Sequence, residues 1–80
     1  MVEIKFEDGK AIAYDNSKKM GECDFVESGN VWNITHTVVD LLYQGQGIAR
    51  LLVECVIENA KKCNKILIAD CSYAKKVIEK

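Results

Sequence analysis

The sequence predicts an α/β fold of the α+β kind, with one mixed sheet and the element order β-β-β-β-α-β-α. Three observations carry that expectation. Up to Val38 the apolar residues recur with period two, and Gly, Asn and Asp turns interrupt them. From Gln46 the apolar period lengthens to about 3.6. A short unbroken apolar run, Ile66 to Ala69, then returns to strand before a last stretch of helical character.

Each element has its local reason. Val2, Ile4 and Phe6 alternate with Glu3, Lys5 and Glu7, as in a half-buried strand, and Asp8-Gly9 favours a tight hairpin. Ala11 to Tyr14 gives a second strand and "DNSKK" a second turn. Met20 to Val26 gives a third strand, and "ESGN" turns again. Val31 to Val38 is a fourth strand, rich in β-branched residues. In the long helix, Ile48, Leu51, Leu52, Cys55, Val56, Ala60 and Cys63 share one face, and Asn64 ends it. "KILIAD" is the fifth strand. "SYAKKVIEK" is a terminal helix with Ser72 as its candidate cap. A strand, a helix and a strand in that order place the last two strands parallel through a right-handed crossover.

Eighty residues form one domain, 1–80, with no internal repeat or linker. A chain of this size buries roughly 60–65% of the surface its unfolded form exposes, so the core is thin and pairing as a homodimer is open. Apolar residues make up 49% and charged residues 29%, the balance of a soluble globular protein. No apolar run approaches the roughly 20 residues of a membrane span, and "MVEIKFEDGK" does not read as a signal peptide. A net charge of −1 argues against a nucleic-acid partner. Cys23, Cys55, Cys63 and Cys71 are spaced by 32, 8 and 8 residues and match no metal template, with one histidine in the chain. Reduced thiols in a cytoplasmic protein are the expectation, three of them packed as small core residues.

"YQGQGIAR", Tyr43 to Arg50, places two glycines where the long helix begins. The first amides of a helix lack internal partners, and the helix dipole adds partial positive charge there. Gly45 and Gly47 let an anion come close, so a phosphate or pyrophosphate is favoured at residues 44–49. A Walker A loop is excluded because Gly47 is followed by Ile48 and Ala49, and a Rossmann fingerprint because Arg50 replaces its third glycine. A ligand-free start to the helix remains the alternative. His36 and Cys71 sit near the ends of adjacent strands on the loop's side, where a histidine could take a proton from a thiol. A core histidine beside Trp32 and Ile34, and a cysteine placed only for packing, are the plainer readings.

The pattern Gln44-x-x-Gly47-x-Ala49 resembles the acetyl-CoA loop of the GNAT acetyltransferases, Q/R-x-x-G-x-G/A. "HT" at 36–37, "QGQGIA" at 44–49 and "CSY" at 71–73 together resemble a branch of very short GNAT-like proteins across nearly the whole chain. The resemblance implies a compact GNAT-like fold that binds acetyl-CoA and transfers its acetyl group to an acceptor that the sequence does not identify. It implies that the backbone of Gln44, Gly45, Gln46, Gly47, Ile48 and Ala49 holds the pyrophosphate. Thr37, Val38 and Val39 would bond the pantetheine arm, with Ser72 and Tyr73 beside the cofactor. Cys71 would be the acyl acceptor and His36 its base, with no metal. Two departures stand out. Gln44 replaces the arginine usual in that branch, and no Arg-Asn-Pro-like segment follows "CSY".

Two chemical routes follow from this set. In one, Cys71 attacks the thioester with His36 as base. In the other, an acceptor amine attacks directly, His36 or a water relays its proton, and Tyr73 protonates the leaving thiolate. A CoA-binding sensor without catalysis, and a plain interaction domain, are the rival readings.

Overall fold

The computed structural model describes residues 2–79. Five strands form one sheet in the order β1-β2-β3-β4-β5, with ranges β1 (Val2–Glu7), β2 (Lys10–Asp15), β3 (Lys18–Ser28), β4 (Val31–Val39) and β5 (Ile66–Ala69). The first four form an antiparallel meander, and β5 lies parallel to β4. The turns are those the sequence marks. Asn16 and Ser17 both take positive φ between Asp15 and Lys18, and Gly9 does the same after Asp8. A 3₁₀ turn, Leu41–Tyr43, follows β4 and was not expected. Helix α1 (Ile48–Lys62) and helix α2 (Ser72–Ile78) complete the chain.

Both helices pack on the same face of the sheet. Ala11, Ala13, Cys23, Phe25, Trp32 and Ile34 line that face and meet Ile48, Leu52, Val53, Val56 and Ala60 of α1, with Ala74 of α2. Phe25 stacks on Trp32 with centroids 4.3 Å apart, and Phe6 extends the stack at 5.8 Å from Phe25. Each fully buried aliphatic contributes about 1.5–3 kcal/mol of transfer free energy. The other face of the sheet has no covering element among the described residues, and Val26, Val38, Ile66 and Ile68 are exposed.

Two irregularities shape the sheet. The β2–β3 register shifts between Ala13 and Tyr14, where Met20 is the extra residue. The β3–β4 register shifts between Asp24 and Phe25, where Thr35 is the extra residue. A bulge moves every later side chain of its strand to the opposite face. Trp32 and Ile34 are therefore buried on the helix side, but His36 and Val38 are exposed and Thr37 and Val39 take the inward positions.

Several expectations are corrected here. The buried stripe of α1 contains Val53, fully buried, in place of Leu51, which is 45% exposed. The stripe runs Ile48–Leu52–Val53–Val56–Ala60, and Leu51 lies beyond its edge. Helix α1 starts at Ile48, the first residue of the expected apolar face, because Gly47 is left-handed and cannot continue a helix backward. It ends at Lys62, and Asn64 at φ 56° makes the chain turn away. Strand β3 extends two residues beyond the expected span at each end. The cap of α2 is Cys71, so Ser72 is its first helical residue. Of the cysteines only Cys23 is fully buried; Cys63 is exposed, and all four are free thiols.

Gly21 fits a close approach. A Cβ there would come 2.6 Å from the Val38 carbonyl oxygen and 3.2 Å from Val39 Cα. Both are backbone atoms that cannot swing aside. Gly21→Ala is expected to cost about 1–3 kcal/mol in urea unfolding, because the end of β4 must move to admit one methyl.

Candidate functional site

The site begins where β4 and β5 part. Their parallel pairing ends at Ile34 and Ala69, and the Ile34 carbonyl accepts two N–H groups, from Asp70 at 2.9 Å and Cys71 at 3.1 Å. Asn33 clasps the same point. Its amide nitrogen donates to Asp70 Oδ2 at 2.9 Å, and its oxygen accepts from the Asp70 N–H at 3.0 Å. Beyond this vertex β4 runs on to Val39 with no strand on its β5 side, among the described residues. The bulge at Thr35 bends β4 at the same place. A wedge-shaped opening results.

The segment after β4 is pinned before it reaches the helix. Asp40 donates its N–H to the Met20 carbonyl at 2.7 Å, and its side chain accepts from the Leu42 N–H at 3.0 Å. Tyr43 donates its hydroxyl hydrogen to Asp15 at 3.1 Å, and that carboxylate raises the Tyr43 pKa. Gln44 Nε2 donates to the Val39 carbonyl at 3.2 Å. Gly45 and Gly47 then adopt φ of 82° and 81°, a region that costs other L-residues roughly 1–2 kcal/mol. A Cβ on either would meet nothing within 4 Å, so open space lies above both. Gly47 supplies no side-chain cap, and the first turn of α1 holds no acidic residue. The unpaired amides and the positive end of the dipole therefore face the opening without a counter-charge from the helix itself.

A cleft of about 500 Å³ occupies this position. Thr37 and Val39 line it from β4, Tyr43 from the 3₁₀ turn, Gln44, Gly45 and Gly47 from the loop, Ile48 and Ala49 from α1, and Tyr73 from α2. Most of the sequence-expected cofactor residues are thus brought together. Val38 lies on the opposite face of the sheet, while Gln46 and Ser72 are exposed outside the lining. Tyr43 was not among the expected residues. Its position two residues before the first loop glycine was the available signal, and only the 3₁₀ turn brings it inward.

Cys71 stands just behind this lining. It is half-buried, and its Sγ donates to Thr37 Oγ1 at 3.6 Å. Burial alone would raise its pKa and is the largest single influence. The Ala74 amide, the Thr37 hydroxyl, and the Tyr73 and Thr37 amides together outweigh it, so the pKa is lowered. No capping hydrogen bond of full geometry closes on the sulfur, so these amides act as nearby dipoles.

His36 is not brought to Cys71. Because of the Thr35 bulge, its imidazole lies on the uncovered face, with Nε2 3.6 Å from Asp24 Oδ2. A shallow depression of about 440 Å³ there is lined by His36, Val38, Glu22, Asp24, Asp40 and Lys19, among others. Burial and the Glu22 carboxylate raise the Asp24 pKa. The bond to Asp24, followed by the one to Lys19, holds Glu22 down to about 2. Among the described residues no group of three or more His, Cys, Asp or Glu could hold a metal ion, and no helix is long and apolar enough to cross a membrane.

The sequence profile of the GCN5-related N-acetyl-transferase family matches residues 10–80. A GCN5-like protein of Staphylococcus aureus, solved in solution by NMR, is 34% identical with a TM-score of 0.74 over 96% of this chain and 78% of that one. The ribosomal-protein-S18-alanine N-acetyltransferase of Escherichia coli superposes with a TM-score of 0.74 at 21% identity, covering 88% of this chain and 48% of that one. An aminoglycoside N-acetyltransferase, AAC(6′)-Iy, in complex with CoA gives 0.66 at 16% identity over 88% and 53%. The last two show a shared fold, and the chain spans about half of their length. No curated protein matches the sequence.

Gly47→Ala tests the loop conformation separately from any ligand. The added methyl meets nothing, so the whole cost is the left-handed backbone. A loss of about 1–2 kcal/mol in urea unfolding is expected.

Proposed function

The chain belongs to the GCN5-related N-acetyl-transferase family, and we propose that it binds acetyl-CoA in the cleft between β4 and β5 and transfers the acetyl group by way of Cys71. The observation that carries this reading is the cleft itself. One opening joins an unpaired strand edge to a glycine loop at a helix N-terminus, with Cys71 beside it. The pyrophosphate would lie on the amides of 44–49, where open space stands above Gly45 and Gly47. The pantetheine amides would take the backbone groups that β4 leaves unpaired from Thr37 to Val39, in the manner of an added strand.

The chemistry then needs no separate base at the sulfur. Cys71 as thiolate attacks the acetyl carbonyl carbon, the carbon–sulfur bond to CoA breaks, and CoA leaves as its thiolate. An acceptor nucleophile attacks acetyl-Cys71 in turn, loses its proton and returns the thiolate. Thioester exchange of this kind is close to balanced in energy, so the barrier depends on holding the sulfur deprotonated and close. The amides that lower the Cys71 pKa favour the first condition. An N–H from β4 near Val38 would polarise the carbonyl.

One observation favours a second reading. His36 and Asp24 lie together on the far face of β4, away from Cys71. An acceptor amine arriving from that face could attack acetyl-CoA directly, with His36 taking its proton and Tyr73 protonating the CoA thiolate. Cys71→Ala separates the two routes.

Calorimetric titration with acetyl-CoA should give saturable binding, weakened at least tenfold by Gly47→Val, which fills the space above the loop; ATP serves as the control. Flat titrations at high protein concentration would remove the proposal. For an acceptor that supports turnover, Cys71→Ala should lower kcat by 10²-fold or more on the acyl-cysteine route. Retention of most activity would leave direct attack.

A further inference from the structure

Cys23 is a buried nucleophilic side chain that the acetyl-transfer route leaves unused. It sits on β3, fully buried, directly across from Thr37 in the β3–β4 register. The Thr37 hydroxyl lies between two sulfurs. It accepts a hydrogen bond from Cys71 Sγ at 3.6 Å and donates one to Cys23 Sγ at 3.6 Å. A hydroxyl has a single hydrogen, so it can donate to only one of the two at a time.

When Cys71 is a neutral thiol, the bonds run Cys71 to Thr37 to Cys23. A thiolate at Cys71 can no longer donate. The Thr37 hydrogen then turns toward it, and the Cys23 S–H turns to donate into the vacated Thr37 oxygen. Only hydrogens rotate, no covalent bond changes, and every heavy atom stays in place. We propose that Thr37 and Cys23 form a reversible hydrogen-bond relay that holds Cys71 as a thiolate, with Cys23 as the fixed donor at its buried end. Thr37 and Cys23 are positioning residues in this role.

A fixed donor must keep its own proton. Cys23 does so because burial, the largest influence on it, pushes its pKa up to about 11. The other groups near Cys71 fit the same picture. The Thr37 amide comes from β4 and the Tyr73 and Ala74 amides from α2. The α1 thiol Cys55, which bears on Cys23, is itself raised in pKa by burial. His36 faces the opposite side of the sheet. The inference deepens the reading of Cys71 as an acyl acceptor and rests on that reading for its purpose, though not for its geometry.

The test is the pH dependence of alkylation by iodoacetamide on the full chain, without acetyl-CoA. It is read by mass spectrometry on the peptide that contains Cys71, so that Cys55 and Cys63 do not contribute. Thr37→Val should raise the midpoint by about one pH unit, a tenfold loss of thiolate at pH values below it. Thr37→Ser should restore the midpoint. Cys23→Ala should raise it by a smaller step, and Cys23→Ser, which keeps a donor of similar size, should stay near the parent value. A midpoint unmoved by both Thr37→Val and Cys23→Ala would overturn the relay. So would Cys23→Ser shifting as far as Cys23→Ala. If Thr37→Val fails to fold, Thr37→Ala, which also removes the hydroxyl, takes its place with the same expected rise, and an unmoved midpoint there overturns the relay equally. A failed relay leaves acetyl-CoA titrations unaffected, and a failed titration leaves these pH profiles unaffected.

Discussion

The Ile34 carbonyl is the atom on which the architecture turns. It takes the N–H groups of both Asp70 and Cys71, and so it closes the parallel ladder after only four residue pairs. One residue later Thr35 bulges out of the β3–β4 ladder. Together these two features bend β4 away from β5 and leave its last five residues with one paired edge and one open edge. Everything in the candidate site depends on that divergence. The cleft occupies the opening, and Thr37 comes to the inward face because of the bulge. The amide donors around Cys71 gather where α2 starts.

Small size makes the arrangement economical in elements. The core is one layer of aliphatic and aromatic side chains between the sheet and α1, and no polar residue is fully buried among the described residues. The glycine loop is held in its left-handed conformation by three external ties: Asp40 to Met20, Tyr43 to Asp15 and Gln44 to Val39. These ties fix the loop on the strand that ends in the cleft, so the helix N-terminus and the strand edge are joined as one unit. The uncovered face carries a different chemistry, with a histidine and carboxylates beside exposed Val38.

Local chemistry made much of this legible in the sequence. Period-two alternation and the Asp-Gly, Asn-Ser and Ser-Gly turns placed the four meandering strands within one or two residues, because each turn specifies its own hairpin. The paired glycines Gly45 and Gly47 marked the loop through their missing Cβ atoms, and the resemblance to the acetyltransferases extended the reading to the cleft; the positive φ of both shows only in the structure. The bulge was not legible. No glycine or turn signal marks Thr35 within the strand, and the extra residue shows only in the β3–β4 register. That one residue decides whether His36 or Thr37 faces Cys71, so His36 was assigned to the wrong partner. The exchange of Val53 for Leu51 in the core of α1 has a similar origin. Periodicity gives the width of an apolar stripe but not how the helix is rotated over the sheet. Capping of α2 by Cys71 was hidden because cysteine is a weak capping residue and Ser72 a strong one.

In the function proposed above, the divergence of β4 from β5 creates the acetyl-CoA site. Amide chemical shifts of isotope-labelled protein, followed as acetyl-CoA is added, test it most directly. The largest changes are expected on Thr37 to Val39, on Gln44 to Ala49 and on Tyr73. Residues of the uncovered face such as Val26 and Ile68 should stay near their starting positions. Shifts confined to the groove between α1 and α2, around Ile57, Lys61 and Val77, or no shifts at all, would contradict it.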